Sequence, residues 1–269
     1  IHCNHGWRED ADANADFVQQ LTADWGVICQ VETAVQPLTS EATARQWRYQ
    51  VFAEVAHQLG CTHVVTGHTA SDRAETLLFN LVRGSGLDGL QALTWYRPLR
   101  TTATDLALVR PLLDVTRTQT RQFCETWQIP LWEDATNADR TYRRNRLRLE
   151  VLPQLREHFN PQVDATLAQT AEILTAEVEY LNAQAAISFA QCVVQGRLQR
   201  RSLRTLPLAL QRRVIRQVLM QQLQTSPQFD HVEKVVALVD APNRSQSDPF
   251  PGGAIAVVDD PWIVLQPRS

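Results

Sequence analysis

Over its first 150 residues the chain switches repeatedly between two hydrophobic periods. Phe17, Val18, Leu21 and Trp25 recur at helical spacing within Asp10–Trp25, and Gly26 stops the run. Val27–Val31 reads as a strand. Pro37-Leu38-Thr39-Ser40-Glu41 is a loop with a capping residue, opening a long helix that runs through Leu59 and ends at Gly60. Cys61–Thr66 is the next buried strand, Ser71–Val82 a helix and Leu106–Leu113 a further strand. Thr116–Trp127 is helical, and Ile129–Trp132 a short strand. Strand and helix alternating in this way predict an α/β fold, a Rossmann-like parallel sheet with helices on both faces.

After Pro153 the helical period takes over. Val163, Leu167, Ile173, Leu174, Val178 and Leu181 mark a long amphipathic helix, and Leu203–Gln222 is helical again. Asn243–Pro251 is a polar loop, and Ala254–Val258 with Trp262–Leu265 resembles a closing hairpin. The expected organisation is an α/β catalytic domain over residues 1–155 and a smaller, mainly helical substrate-binding domain over 156–269.

Composition narrows the class. With 44% hydrophobic and 20% charged residues in 269, the chain can build a real core and is not disordered. No run of 18 apolar residues is present, so no membrane partner is expected. Cys3, Cys29, Cys61, Cys124 and Cys192 are odd in number and never spaced Cys-x-x-Cys, which suits the reducing cytoplasm. His2-x-x-His5 beside Cys3 is half a metal site at most; with no second cluster, no protein metal centre is expected. The opening Ile1-His2-Cys3 reads as the end of a strand, so further residues are expected upstream.

Charge is uneven. Arg143 to Arg216 holds twelve arginines and six acids, a local +6 on a chain of net −3, so the remainder carries −9. Such a segment suits a bound polyanion or a solvated helical face. Tyr142, Arg143, Arg144, Asn145, Arg146 and Arg148 form its densest part, and Arg, Asn and an aromatic together suit phosphate and base contacts. A second group includes Arg200, Arg201, Arg204, Arg212, Arg213 and Arg216.

Chemistry concentrates in Thr66–Leu90. It follows a strand end, where ligands bind in open α/β sheets. Asp72-x-x-Glu75 spells a capping box, but two carboxylates on a helix's first turn can also hold an ammonium group or Mg2+. His68, just before them, could touch a phosphate. Gly84, Gly86 and Gly89 match G-x-G-x-x-G yet follow a helix, so they read as a C-cap and turn beside Arg83. Arg45 and Arg48 share a helix face; Arg45 is a phosphate clamp or an ion-pair partner of Glu41.

Together these motifs resemble the tRNA(Ile)-lysidine synthase family of N-type ATP pyrophosphatases. His2-Cys3-Asn4-His5-Gly6-Trp7-Arg8 is similar to its H-x-N-H-G-[LW]-R. Glu41-Ala42, Ala44-Arg45 and Arg48-Tyr49 resemble E-A-x-A-R-x-x-R-Y. Gly67-His68 through Glu75-Thr76 resembles G-H-H-x-D-D-Q-x-E-T, with Thr69, Ser71 and Arg73 where the family has His, Asp and Gln. Arg83-Gly84, Gly86-Leu87 and Gly89-Leu90 resemble R-G-x-G-L-x-G-L. Arg110-Pro111-Leu112-Leu113 resembles R-P-L-L. Asp134, Thr136-Asn137, Arg144-Asn145-Arg146 and Arg148 resemble D-x-[ST]-N and R-N-R-[IL]-R.

The resemblance implies an adenine-nucleotide α-hydrolase-like fold and a carbon–nitrogen ligase. ATP with Mg2+ would adenylate the wobble cytidine of a CAU-anticodon tRNA(Ile), and free L-lysine would then displace AMP. Arg45, Asp72 and Glu75 would be catalytic, with Asp72 and Glu75 holding lysine. His5, His68, Arg83 and Gly84 would contact ATP. Arg143, Arg144, Asn145, Arg146, Arg148, Arg201 and Arg204 would bind tRNA, and a homodimer is open. The family's S-G-G-x-D-S pyrophosphate loop is expected upstream of Ile1, and the further domain of longer members beyond Ser269. A tRNA-thiolating pyrophosphatase, or a tRNA-binding homologue without the ATP loop, are the alternatives.

Overall fold

A computed structural model describes residues 1–6, 10–36, 38–100, 105–223 and 225–267. Trp7 and Arg8 of the first motif, and Pro37 of the loop before the second helix, lie outside the described residues. The chain divides into two compact units, Ile1–Thr175 and Ala176–Ser269.

In the first unit β1 (His2–Asn4) pairs in parallel with β2 (Val31–Thr33), with α1 (Ala11–Asp24) between them in the chain. Pairing starts at Val31 rather than Val27. Val27 and Ile28 are exposed, so apolar character there reports no ladder. Helix α2 (Glu41–Gln58) opens on a box in which the Ser40 hydroxyl accepts from the Thr43 amide and Thr43 Oγ1 accepts from the Ser40 amide.

A second sheet has the order β3-β5-β4. β3 (His63–Val65) and β5 (Asp105–Val109) are parallel, as α/β alternation requires. β4 (Tyr96–Arg100) lies antiparallel on the far side of β5. Pro98 interrupts its strand pattern, and such a residue belongs on an edge where its missing donor costs nothing. Ala53 and Ala56 of α2 pack on Val64, Leu99, Leu106 and Leu108, with Tyr49 and Phe52 at the rim. α3 (Ala70–Val82) follows β3, then the short α4 (Leu87–Leu90); α5 (Arg117–Thr126) follows β5. Ile129–Trp132 forms no strand: Pro130 removes a donor, and the Trp132 ring packs on Phe17 at 5.4 Å.

A continuous helical stretch then runs through α6 (Arg143–Arg146), a π-turn (Leu147–Val151) and α7 (Leu152–His158). The long α8 (Val163–Cys192) starts in the first unit and ends in the second.

The second unit holds β6 (Val193–Val194), β7 (Arg197–Gln199), α9 (Arg200–Arg204), α10 (Leu208–Gln222), α11 (Phe229–Val236), β8 (Ala254–Asp259) and β9 (Trp262–Pro267). Its sheet order is β6-β7-β9-β8, built on the expected terminal hairpin. The expected single helix Leu203–Gln222 is two helices, because Pro207 starts a new one as its N-cap. Leu198, Leu203, Val214, Ile215, Val218, Leu219 and Ile263 form a wholly apolar core. No helix among the described residues is long and apolar enough to cross a membrane.

Candidate active site

Strands β3 and β5 are neighbours and parallel, so the helices that follow them begin side by side at the strands' carboxyl ends. The Ala70 amide donates to the Val115 carbonyl at 2.8 Å, and the Arg117 amide to Ser71 Oγ at 3.2 Å. The first turns of α3 and α5 are thereby stitched together.

The N-cap of α3 is Thr69, and the box is Thr69–Asp72, one turn earlier than the Asp72-x-x-Glu75 reading of the sequence. Asp72 Oδ2 accepts from the Thr69 amide at 2.8 Å and its hydroxyl at 2.7 Å. Asp72 Oδ1 is left to the Arg117 guanidinium at 2.7 Å. Burial pushes the Asp72 carboxyl up, but the Thr69 hydrogen bonds and the Arg117 charge outweigh it and hold the pKa below its ordinary value.

Glu75, released from capping, lies one turn further in and is 1% exposed. Both its oxygens are engaged. Oε1 accepts from Arg148 Nε at 2.6 Å and Arg117 Nη1 at 3.2 Å; Oε2 accepts from Arg148 Nη2 at 2.9 Å and Arg144 Nε at 3.3 Å. The π-turn begins between the two helical arginines, Arg144 and Arg148, and such turns recur at functional sites.

His68 sits on the loop between β3 and α3, its Nδ1 2.9 Å from Thr66 Oγ1. Burial, together with the charges of Arg110, Arg144 and Arg45, lowers its pKa to about 4 against the opposing pull of Asp72. The imidazole is therefore neutral at pH 7. Arg45 lies over the Tyr49 ring, 5.4 Å from its centroid, and makes no ion pair with Glu41 among the described residues.

A cleft of about 730 Å³ opens at the carboxyl end of β1, within the size range of small-molecule sites. His5, Gly6, Ser40, Arg48, Asn137 and Arg144 are among its walls. The His5 ring meets Trp47 edge-on at 5.3 Å.

Several expected site residues fall elsewhere. Arg83 and Gly84 cap the C-terminal end of α3, eleven residues and about 16 Å from Asp72. Arg83 packs over Phe79 and Gly84 takes φ +76°, which gives both a place in the turn that ends the helix. Asn145 spends its amide on the Thr136 and Asp139 carbonyls at 2.8 and 2.9 Å, latching the preceding loop. Arg144 and Arg148 are committed to Glu75, whereas Arg143 and Arg146 are exposed, with Glu150 3.6 Å from Arg146. In the second unit Arg201 is exposed, and Arg204 is paired with Asp240 at 2.6 Å.

The three departures from the family pattern have structural work. Thr69 is the helix cap, and Ser71 binds the start of α5. Arg73, 2% exposed, pairs with Glu172 at 2.7 Å and reaches Thr175 at 3.2 Å. Arg117 was missed by sequence reasoning. Its signal was its place on the first turn after a strand neighbouring β3, which needed the strand order to be read. Among the described residues no group of three or more His, Cys, Asp or Glu could hold a metal.

Comparison with known proteins agrees with this geometry. A PP-loop domain profile matches residues 1–155, and a TilS substrate binding domain profile matches 198–259. A tRNA(Ile)-lysidine synthase of Nostoc sp. (strain PCC 7120) is 53% identical, covering 98% of this chain and 81% of the relative. One from Thermosynechococcus vestitus is 48% identical over 98% and 76%. A chloroplastic one from Zygnema circumcarinatum is 33% identical over 87% and 66%. Matched by the PP-loop domain profile over more than half its length and by relatives about half identical over nearly all of it, the chain belongs to the tRNA(Ile)-lysidine synthase family.

Proposed function

We propose that this chain joins lysine to C2 of the wobble cytidine of a CAU-anticodon tRNA(Ile). The cytidine C2 carbonyl oxygen attacks the α-phosphorus of ATP and pyrophosphate leaves. The amine of lysine then attacks C2, AMP departs with the oxygen, and the amine gives up its proton. The observation that carries the reading is Asp72: an ionised carboxylate at a strand end, beside a neutral imidazole and a cluster of guanidiniums.

The roles follow from what each group touches. Asp72 has one oxygen fixed by the cap and one facing Arg117, which is 42% exposed. An incoming ammonium replaces that guanidinium on Oδ1. Glu75 is saturated and buried, so it acts on the amine only through Arg117 and holds Arg144 and Arg148 in place. Arg45 and Arg144 face charge that builds on the phosphates. Neutral His68 accepts or donates a hydrogen bond at the nucleotide without adding charge. His5 and Arg48 line the cleft that would receive the nucleotide. Glu75 has both oxygens on guanidiniums, and the one exchangeable oxygen of Asp72 is assigned to the amine, so Mg2+ is assigned to the phosphates of ATP. Exposed Arg143, Arg146 and Arg201 would meet RNA phosphate.

The test is incorporation of labelled lysine into a CAU tRNA(Ile) transcript in the presence of ATP. Incorporation is expected, and is expected to vanish when the wobble cytidine is replaced by uridine. Sulfur transfer instead of lysine transfer would sink the reading.

A further inference from the structure

We propose that Arg45, Arg97 and Arg110, gathered round the Tyr49 ring, form a binding site for a phosphate oxyanion. Three elements converge there. α2 supplies Arg45 and Tyr49, one turn apart; β4 supplies Arg97; the residue after β5 is Arg110. The Arg45 and Arg97 guanidinium carbons lie 5.4 and 5.0 Å from the Tyr49 centroid, so the ring gathers two like charges by cation–π contact.

Arg110 is 2% exposed. Its Nη1 donates to the Thr94 carbonyl at 2.6 Å, and the guanidinium also hydrogen-bonds the Tyr49 side chain. Its Nε, and the Nε of Arg97, are buried without a hydrogen-bond partner. Arg73, Arg144, Arg148 and Arg156 each have a carboxylate partner at 3.3 Å or less. Arg45, Arg97 and Arg110 have none among the described residues. A buried guanidinium without a counter-charge is costly, and a bound anion removes that cost. The surplus is felt locally. Burial pushes the Tyr49 phenol up, yet the charges of Arg45, Arg97 and Arg110, with a hydrogen bond from Arg45, prevail and draw it below its ordinary value.

Guanidinium forks arriving from three elements match a tetrahedral anion with several oxygens better than a planar carboxylate. Arg45 and Arg110 also depress His68, which places the cluster at the strand ends where the nucleotide belongs. The phosphate is accordingly assigned to the nucleotide, an assignment that rests on the function proposed above; the anion site itself does not. Arg97 and Arg110 thereby become binding residues alongside Arg45.

Equilibrium dialysis with radiolabelled pyrophosphate at constant ionic strength tests the site. Wild-type protein binds saturably, Arg97→Gln and Arg110→Lys bind at least about tenfold more weakly, and Arg121→Gln, on the exposed face of α5, binds as wild type. Arg97 is only half-buried, so its variant stays informative if Arg110→Lys fails to fold. ATP is expected to displace the pyrophosphate. Displacement by a CAU anticodon stem-loop and not by ATP would overturn the nucleotide as source. No saturable binding by wild type, or equal binding by Arg97→Gln and Arg110→Lys, would overturn the site. Lysine incorporation is measured separately, so its absence with pyrophosphate binding intact would count against the function and leave the anion site standing.

Discussion

The two units bury different things. In the second, the deepest side chains are aliphatic: Leu198, Leu203, Val214, Ile215, Val218, Leu219 and Ile263. In the first, the largest fully enclosed side chains include Arg73, Arg110 and Glu75. An apolar core is stabilised by removal of surface from water, with little demand on geometry. A buried ionic cluster must recover the desolvation of every charge through placed partners, and even when complete it is often no more stabilising than an apolar core. Retaining such a cluster fits a unit that handles phosphates and an amine, where fixed charges are worth more than added stability.

That contrast breaks most visibly at Glu75. Glu75→Ala takes the carboxylate from Arg144 and leaves Arg117 and Arg148 to share Asp72 Oδ1, and is expected to cost about 3–5 kcal/mol of stability in urea unfolding. Loss of less than about 1 kcal/mol would show that water or a bound anion already neutralises the cluster. Leu219→Ala in the apolar core is expected to cost about 2–4 kcal/mol by cavity formation, with lysine transfer unchanged below the unfolding temperature. Acidification separates the units next. His68 has a folded pKa of about 4 against an ordinary 6.5. The unfolded chain therefore binds the extra proton first as pH falls, and stability drops between about pH 6.5 and 4, by at most about 1.4 kcal/mol per pH unit. Its NMR titration is expected near pH 4; a midpoint near 6.5 would refute the enclosed, cation-ringed site. Arg117→Gln is the gentlest probe. Its pairs are partly exposed, so stability should change by less than about 1 kcal/mol. The KM for lysine should fall, because a competing cation has left Asp72. A raised KM would mean that Arg117 helps to build the amine site.

Local rules in the sequence located most elements. α1, α2, α3 and α5 begin and end within a residue or two of where periodicity and capping residues place them. Strand ends were harder. Val27 and Ile28 are apolar yet exposed, and the short run at Ile129–Trp132 packs a side chain without joining a ladder. β4 escaped because Pro98 breaks its pattern, and an edge strand needs only one paired side. The site was legible by residue type at Arg45, His68, Asp72 and Glu75. It was not legible by role. Asp72-x-x-Glu75 has box spacing, but Thr69-x-x-Asp72 has it too, and only backbone geometry chose between them. Arg83 and Gly84 lie close to Asp72 in sequence and at the other end of the same helix in space.

What this sequence determined by itself is the placement of α1, α2, α3 and α5, the α/β character of the first unit, the terminal hairpin of the second and the family. Each is encoded in short-range spacing, which the chain carries whether folded or not. The tertiary structure alone decided which charges meet. Arg117 reaches Asp72 across 45 residues and Arg148 reaches Glu75 across 73, while Arg110 and Arg97 meet Tyr49 with no carboxylate to answer them. Electrostatic roles depend on distance and burial, and those are settled by strand order and by how helices begin beside one another, which no local pattern records.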